Sequence, residues 1–171
     1  MNRLRLMLGL SLGLAFSLLA SGQEMKPATR STPAFDQIKT LAGNWQGKSK
    51  EGKPVSVIYS VVSNGSAVME HLMPGGEAEM ITMYTLDGDR IMVTHYCAMG
   101  NQPTMETGSL TAATGKFDFA FVRVAGTKTP DEGHMAALSL AIPDKDHLTQ
   151  AWTFDDHGQT HVETFSFTRV N

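Results

Sequence analysis

Turn chemistry recurs at short, regular intervals along nearly the whole chain after Gly43, and no other feature narrows the possible folds as much. The punctuation runs Lys50-Glu51-Gly52-Lys53, Asn64-Gly65, Pro74-Gly75-Gly76, Asp87-Gly88-Asp89, Gly100 to Pro103, Thr114-Gly115, Gly126 to Gly133, Pro143-Asp144-Lys145-Asp146 and Asp155 to Gly158. Each supplies a residue that tolerates positive φ or sets a turn. Between them lie runs of about 8 to 10 residues rich in Val, Thr, Phe, Tyr and Met, the spacing of an all-β sandwich or barrel. Short connections join each run to the next. The chain therefore predicts an antiparallel up-and-down β-barrel of about ten strands, because closing such a meander removes its exposed edges. Ahead of it, Phe35, Ile38 and Leu41 fall at helical spacing within Ala34 to Leu41, which predicts a short N-terminal helical plug.

The segment before the barrel has a different character. Arg3 and Arg5 precede an apolar run from Leu6 to Leu19, and Ala20-Ser21-Gly22 offers small residues for cleavage before Gln23. That pattern predicts a signal peptide over residues 1–22, a flexible leader over 23–33 and a barrel domain over 34–171. The expected destination is the periplasm or the extracellular space. The apolar run is shorter than the roughly 20 residues of a membrane-spanning helix, so no stable membrane insertion is expected after cleavage. The chain holds 14 basic and 17 acidic residues, and loss of the two early arginines leaves 12 against 17, a net charge of −5. This balance argues against nucleic acid as a partner. Cys97 is the single cysteine and cannot form an internal disulfide. In an oxidising compartment it is a buried thiol, a metal ligand or a link to another chain.

Alternation assigns faces to several runs. Phe117, Phe119 and Phe121 share a face opposite Lys116 and Asp118, and are expected inside. Leu148, Gln150, Trp152 and Phe154 share another, as do His161, Glu163, Phe165, Phe167 and Arg169. For residues 89–99 the set Ile91, Val93, His95, Cys97 and Met99 is taken as inward, while in Val55 to Ser63 both faces are apolar enough to leave the choice open.

Gly43-Asn44-Trp45 at the start of the first strand, with Thr168-Arg169 near the end of the last, resembles the structural signature of the calycins, the group containing lipocalins, fatty-acid-binding proteins and nitrobindin-like barrels. The resemblance implies that Trp45 seals one barrel end and that Arg169 lies across it as a cation–π partner. The whole domain also resembles a set of secreted bacterial lipocalin-like proteins through Met83-Tyr84 and through Thr94-His95-Tyr96-Cys97 followed by Gly100-Asn101-Gln102-Pro103. The helical lid of fatty-acid-binding proteins has no counterpart, since only Lys50 to Lys53 separates the first two strands. That short turn and the strand count sit closer to nitrobindin-like barrels than to eight-stranded lipocalins.

An aromatic interior with sparse polar groups suits a small, largely apolar ligand. The expected walls are Phe117, Phe119, Phe121, Trp152, Phe154, Phe165 and Phe167, with Tyr84, Arg123, Gln150, His161 and Glu163 as polar contacts. The same side chains could instead fill the barrel, leaving a solid-core interaction module. Two cofactor readings stand beside these. Nitrobindin-like barrels carry a haem-ligating histidine on the closing strand, which would implicate His161. Met69, His71 and Met73 alternate along one run and His95, Cys97 and Met99 along another, a soft donor set suited to copper(I); methionines also fill irregular cores without any metal. Catalysis finds little support. His95 and Cys97 would stand about 7 Å apart along a strand, too far for a nucleophile and its base, and a His161–Glu163 pair points to no particular reaction.

Overall fold

A computed structural model describes residues 30–75, 78–110 and 112–170. The expected signal peptide, residues 1–22, lies outside the described residues, as does most of the leader. The described residues form ten strands after a short helix: α1 (Pro33–Lys39), β1 (Gly43–Lys48), β2 (Pro54–Val62), β3 (Ala67–Pro74), β4 (Met80–Asp87), β5 (Arg90–Tyr96), β6 (Gln102–Glu106), β7 (Lys116–Ala125), β8 (His134–Ala141), β9 (His147–Asp156) and β10 (Gln159–Val170). All neighbours are antiparallel, and β10 returns to pair with β1, closing the barrel. The fold is the ten-stranded antiparallel barrel that the turn spacing predicts.

One end is sealed by the helix. Thr32 caps α1 by accepting from the Phe35 amide at 3.1 Å, and Pro33 occupies the first turn, where its missing N–H costs nothing. Phe35, Ile38 and Leu41 are fully buried, so the helix drives its apolar stripe into the barrel end. Trp45 completes the seal. Its indole N–H donates to the Leu41 carbonyl at 2.8 Å, and the Arg169 guanidinium lies 4.1 Å from its ring centre. Arg169 also donates to the carbonyls of Ala42, Thr40 and Lys145 at 2.8, 2.8 and 2.7 Å. One side chain thus ties the last strand, the helix exit and the β8–β9 turn together. Gly43 lets the chain pass beneath it: its φ of +130° suits glycine, and a Cβ there would stand 2.9 Å from Arg169 Nη1. Arg169→Lys keeps the charge but cannot reproduce the planar three-way fork. We expect a loss of about 1–2 kcal/mol in urea denaturation.

At the far end the wall is incomplete. β1 stops at Lys48 opposite Ser166, so among the described residues the first half of β10, from Gln159 to Phe165, has no strand partner on its β1 side. β7 pairs with β8 only from Lys116 to Ala120. Past these two splits β8, β9 and β10 stay paired with one another as a three-stranded tongue.

Candidate functional site

The inward faces of β2, β3, β4, β5 and β9 meet in a buried polar layer. Val68, Glu70 and Leu72 point inward from β3, placing a carboxylate at the barrel centre with no exposed surface. Glu70 Oε2 accepts from the Tyr84 hydroxyl at 2.6 Å and from Gln150 Nε2 at 2.9 Å. Gln150 also donates to the Tyr59 hydroxyl, and its Oε1 accepts from the Trp152 indole at 3.2 Å. Trp152 in turn packs on the His95 ring with centroids 4.6 Å apart, and His95 Nδ1 lies 2.9 Å from Thr82 Oγ1. Glu70, Gln150, Trp152, His95 and Thr82 thus form one connected chain around the interior. Tyr59 and Tyr84 rings stand 6.3 Å apart, and Phe119 meets Tyr84 edge-on at 6.0 Å.

Two atoms of this layer have no hydrogen-bond partner, Glu70 Oε1 and His95 Nε2. Burial pushes the Glu70 carboxyl above its usual value, opposed by hydrogen bonds from Tyr84, Tyr59 and Gln150. Burial also takes His95 from 6.5 down to about 4, which keeps the imidazole neutral at physiological pH. Both tyrosine hydroxyls are raised, first by burial and then by the Glu70 charge.

Beside the tongue lies a cleft of about 260 Å³ lined by Ser49, Glu51, Lys53, Val55, Pro74, Gly75, His161, Glu163 and Phe165. It occupies the gap left where β1 ends beneath β10. Val55, Pro74 and Phe165 give it an apolar floor, whereas Glu51, Lys53, His161 and Glu163 give it a charged or polar rim. Glu163 Oε1 receives the Lys50 amide at 3.4 Å, and Ser49 Oγ donates to Glu51 at 2.9 Å. Phe154 packs on His161 at 5.1 Å, on the inner side of the tongue.

The residues expected from alternation divide into two layers. Tyr84, Phe117, Phe119, Gln150 and Trp152 are all at most 2 % exposed and fill the middle of the barrel. Phe167 lies toward the closed end, also buried. His161, Glu163 and Phe165 line the far-end cleft. Phe121 does not join the interior wall: it is 41 % exposed and stacks on His134 at 4.6 Å, across the split between β7 and β8. Arg123 is exposed, and its phase is reversed. Met105 pairs with Phe121 but Thr104 pairs with Arg123, so a bulge at Val122 moves Arg123 to the outer face with Thr104.

The soft donor sets are not brought together. Glu70 points inward, so Met69 and His71 face out of the barrel, and His71 pairs with Glu79 at 2.8 Å on the surface. His95 faces in. Cys97 and Met99 lie beyond the end of β5, in a turn closed by the Gly100 amide on the Cys97 carbonyl at 2.9 Å, and Met99 is 46 % exposed. Among the described residues, no three His, Cys, Asp or Glu side chains converge on a metal position. His161, the candidate haem ligand, is an exposed residue at the cleft.

Sequence reasoning missed Glu70 and Thr82. The signal was present in the phase of Val68, Glu70 and Leu72, but the alternate phase of Met69, His71 and Met73 is equally apolar.

The same barrel occurs in solved structures. Rv2717c from M. tuberculosis superposes with a TM-score of 0.59 at 13 % identity, over 83 % of this chain and 100 % of that protein. A protein of unknown function from the DUF3598 family of Nostoc punctiforme PCC 73102 gives a TM-score of 0.54 at 13 % identity, over 86 % of this chain and 53 % of the other. At such identity the likeness is one of fold. No protein-family model and no curated protein sequence matches the chain.

Proposed function

We propose that this protein is an exported, calycin-like β-barrel that binds a small, largely apolar molecule at the far-end cleft and performs no chemistry on it. The observation that carries this reading is the cleft itself, set where β1 stops short of β10. Its apolar floor of Val55, Pro74 and Phe165 supplies affinity, while His161 and Glu163 on the rim orient the ligand. The volume, about 260 Å³, lies just under the roughly 300–1,000 Å³ of sites that enclose drug-sized ligands, so the bound molecule is small or only partly enclosed. The packed middle layer supports a second reading, a solid-core interaction module whose partners bind the outside of the barrel.

Native mass spectrometry of the protein purified from its own host separates the two and tests export in the same spectrum. The expected result is a mature chain beginning at Gln23 that carries an added small-molecule mass. In the double variant His161→Ala/Glu163→Ala, affinity for that molecule falls by about tenfold or more, with the melting temperature unchanged. A host-purified chain with no added mass overturns the binding reading and leaves the interaction module.

A further inference from the structure

From Gln159 to Phe165, β10 has an edge that no described strand covers, and its hydrogen-bonding phase tells which residues face that edge. The Arg169 amide donates to the Asp146 carbonyl at 3.0 Å, on the β9 side. Successive residues of an antiparallel strand turn their N–H and C=O groups to opposite edges, and β10 pairs with β9 without a bulge. Odd-numbered residues of β10 therefore use their main-chain groups on β9. Thr160, Val162 and Thr164 aim theirs at the side where β1 has ended, and all three are exposed, Val162 at 52 %. Free edges are commonly blunted by proline, a bulge or a charge. This stretch contains no proline, and its three outward side chains are uncharged.

The far-end cleft runs along the same edge. Side chains alternate along the strand, so His161, Glu163 and Phe165 turn theirs to the cleft while Val162 and Thr164 hold donors and acceptors beside it. Val55 and Pro74 stand across the gap. A row of main-chain groups next to an apolar pocket is the arrangement by which a sheet takes up an extended peptide: the backbone pairs, and alternate side chains enter the pocket. On the rim, Glu51 and Glu163 outnumber Lys53, which favours a basic residue there.

We propose that the ligand of the cleft is an extended peptide segment that continues the line of β1, antiparallel to β10. Its main chain pairs with Thr160, Val162 and Thr164. One apolar side chain, opposite Phe165, packs against Val55 and Pro74. The side chain two residues later is basic and stands opposite Glu163, as cross-strand pairs of opposite charge do. The inference rests on the cleft-binding reading and names the class of ligand. Such a peptide is only partly enclosed, in keeping with a cleft of about 260 Å³.

The probe is acetyl-Leu-Thr-Lys-Thr-Ala-Thr-amide, which sets leucine opposite Phe165, lysine opposite Glu163 and the middle threonine opposite Val162. Amide hydrogen exchange followed by NMR on the labelled mature chain reads the pairing directly. In the free protein Thr160, Val162 and Thr164 exchange fast, whereas His161 and Glu163, bonded to β9, exchange slowly. Saturating peptide is expected to slow Val162 and Thr164 by at least about tenfold. Methylating the backbone nitrogen of the middle threonine weakens binding by about tenfold or more. Glutamate in place of the peptide lysine weakens it by about fivefold, and Glu163→Lys reverses that preference. Equal affinity for the parent and methylated peptides overturns the strand pairing but leaves the cleft reading, as a pocket for side chains alone. A parent peptide that binds no better than its glutamate version removes the basic residue from the proposal. Absence of binding by all of these peptides overturns the proposal, while the mass spectrum of the host-purified protein decides the cleft reading separately. If the free protein sediments as a dimer with Val162 and Thr164 already protected, a second copy holds the edge and the proposal falls. The comparisons on the wild type decide the matter however well the variant folds.

Discussion

Trp45→Ala lowers the free energy of unfolding in urea by about 3–5 kcal/mol, the largest effect expected of any single truncation at the closed end. Three losses combine. The indole is 1 % exposed, so its removal leaves a cavity beneath Phe35, Ile38 and Leu41. The Leu41 carbonyl loses its indole donor, and the Arg169 guanidinium loses the face on which it rests. Trp45→Phe separates these terms, because it keeps most of the volume and a ring for the cation and gives up the hydrogen bond; it should cost about 1–2 kcal/mol. Full stability in Trp45→Ala would mean that α1 and Arg169 seal the barrel without it.

Acidification between pH 6.5 and about 4 removes roughly 3 kcal/mol of stability through His95 alone. The unfolded chain takes up the imidazole proton near 6.5, whereas the folded chain resists it until about 4. Between those values the unfolded state binds more protons, so stability is complete above 6.5 and is lost as the pH falls. The 2.5-unit gap, at about 1.36 kcal/mol per unit, gives about 3 kcal/mol. Glu70 acts in the opposite sense. Its raised folded value stabilises the protein at low pH and that contribution is lost as the pH rises through it. Subtracting the stability curve of His95→Gln from that of the wild type isolates the histidine, since Glu70 is common to both. A difference curve that stays level from pH 4 to 6.5 would show that His95 is protonated in the folded protein without penalty.

Much of the architecture is legible in the residues themselves. Alternation places Phe117 and Phe119 inside because β7 is regular up to Ala120, and the same rule places Gln150 and Trp152 on β9 and Phe165 and Phe167 on β10. The strand face of Ile91, Val93 and His95 also follows. It fails at Cys97 and Met99, because β5 ends at Tyr96 and the chain turns. Arg123 is misplaced by one extra residue at the Val122 bulge, a feature with no composition of its own. Glu70 is hidden for a different reason. A lone carboxylate in a strand ordinarily reads as the solvent face, and only the partners Tyr84, Gln150 and Tyr59, brought from strands distant in sequence, make its burial tolerable. The cleft is equally invisible locally, since it results from β1 being shorter than β10.

That mismatch in length divides β10 into two stretches under different physical constraints. From Ser166 to Thr168 the strand has a neighbour on both sides, and Arg169 anchors the closed end, so changes there are paid in folding. From Gln159 to Phe165 the strand is paired, among the described residues, with β9 alone, and His161, Glu163 and Phe165 line the cleft. Substitutions in that half can reshape the cleft while the other half keeps the barrel shut.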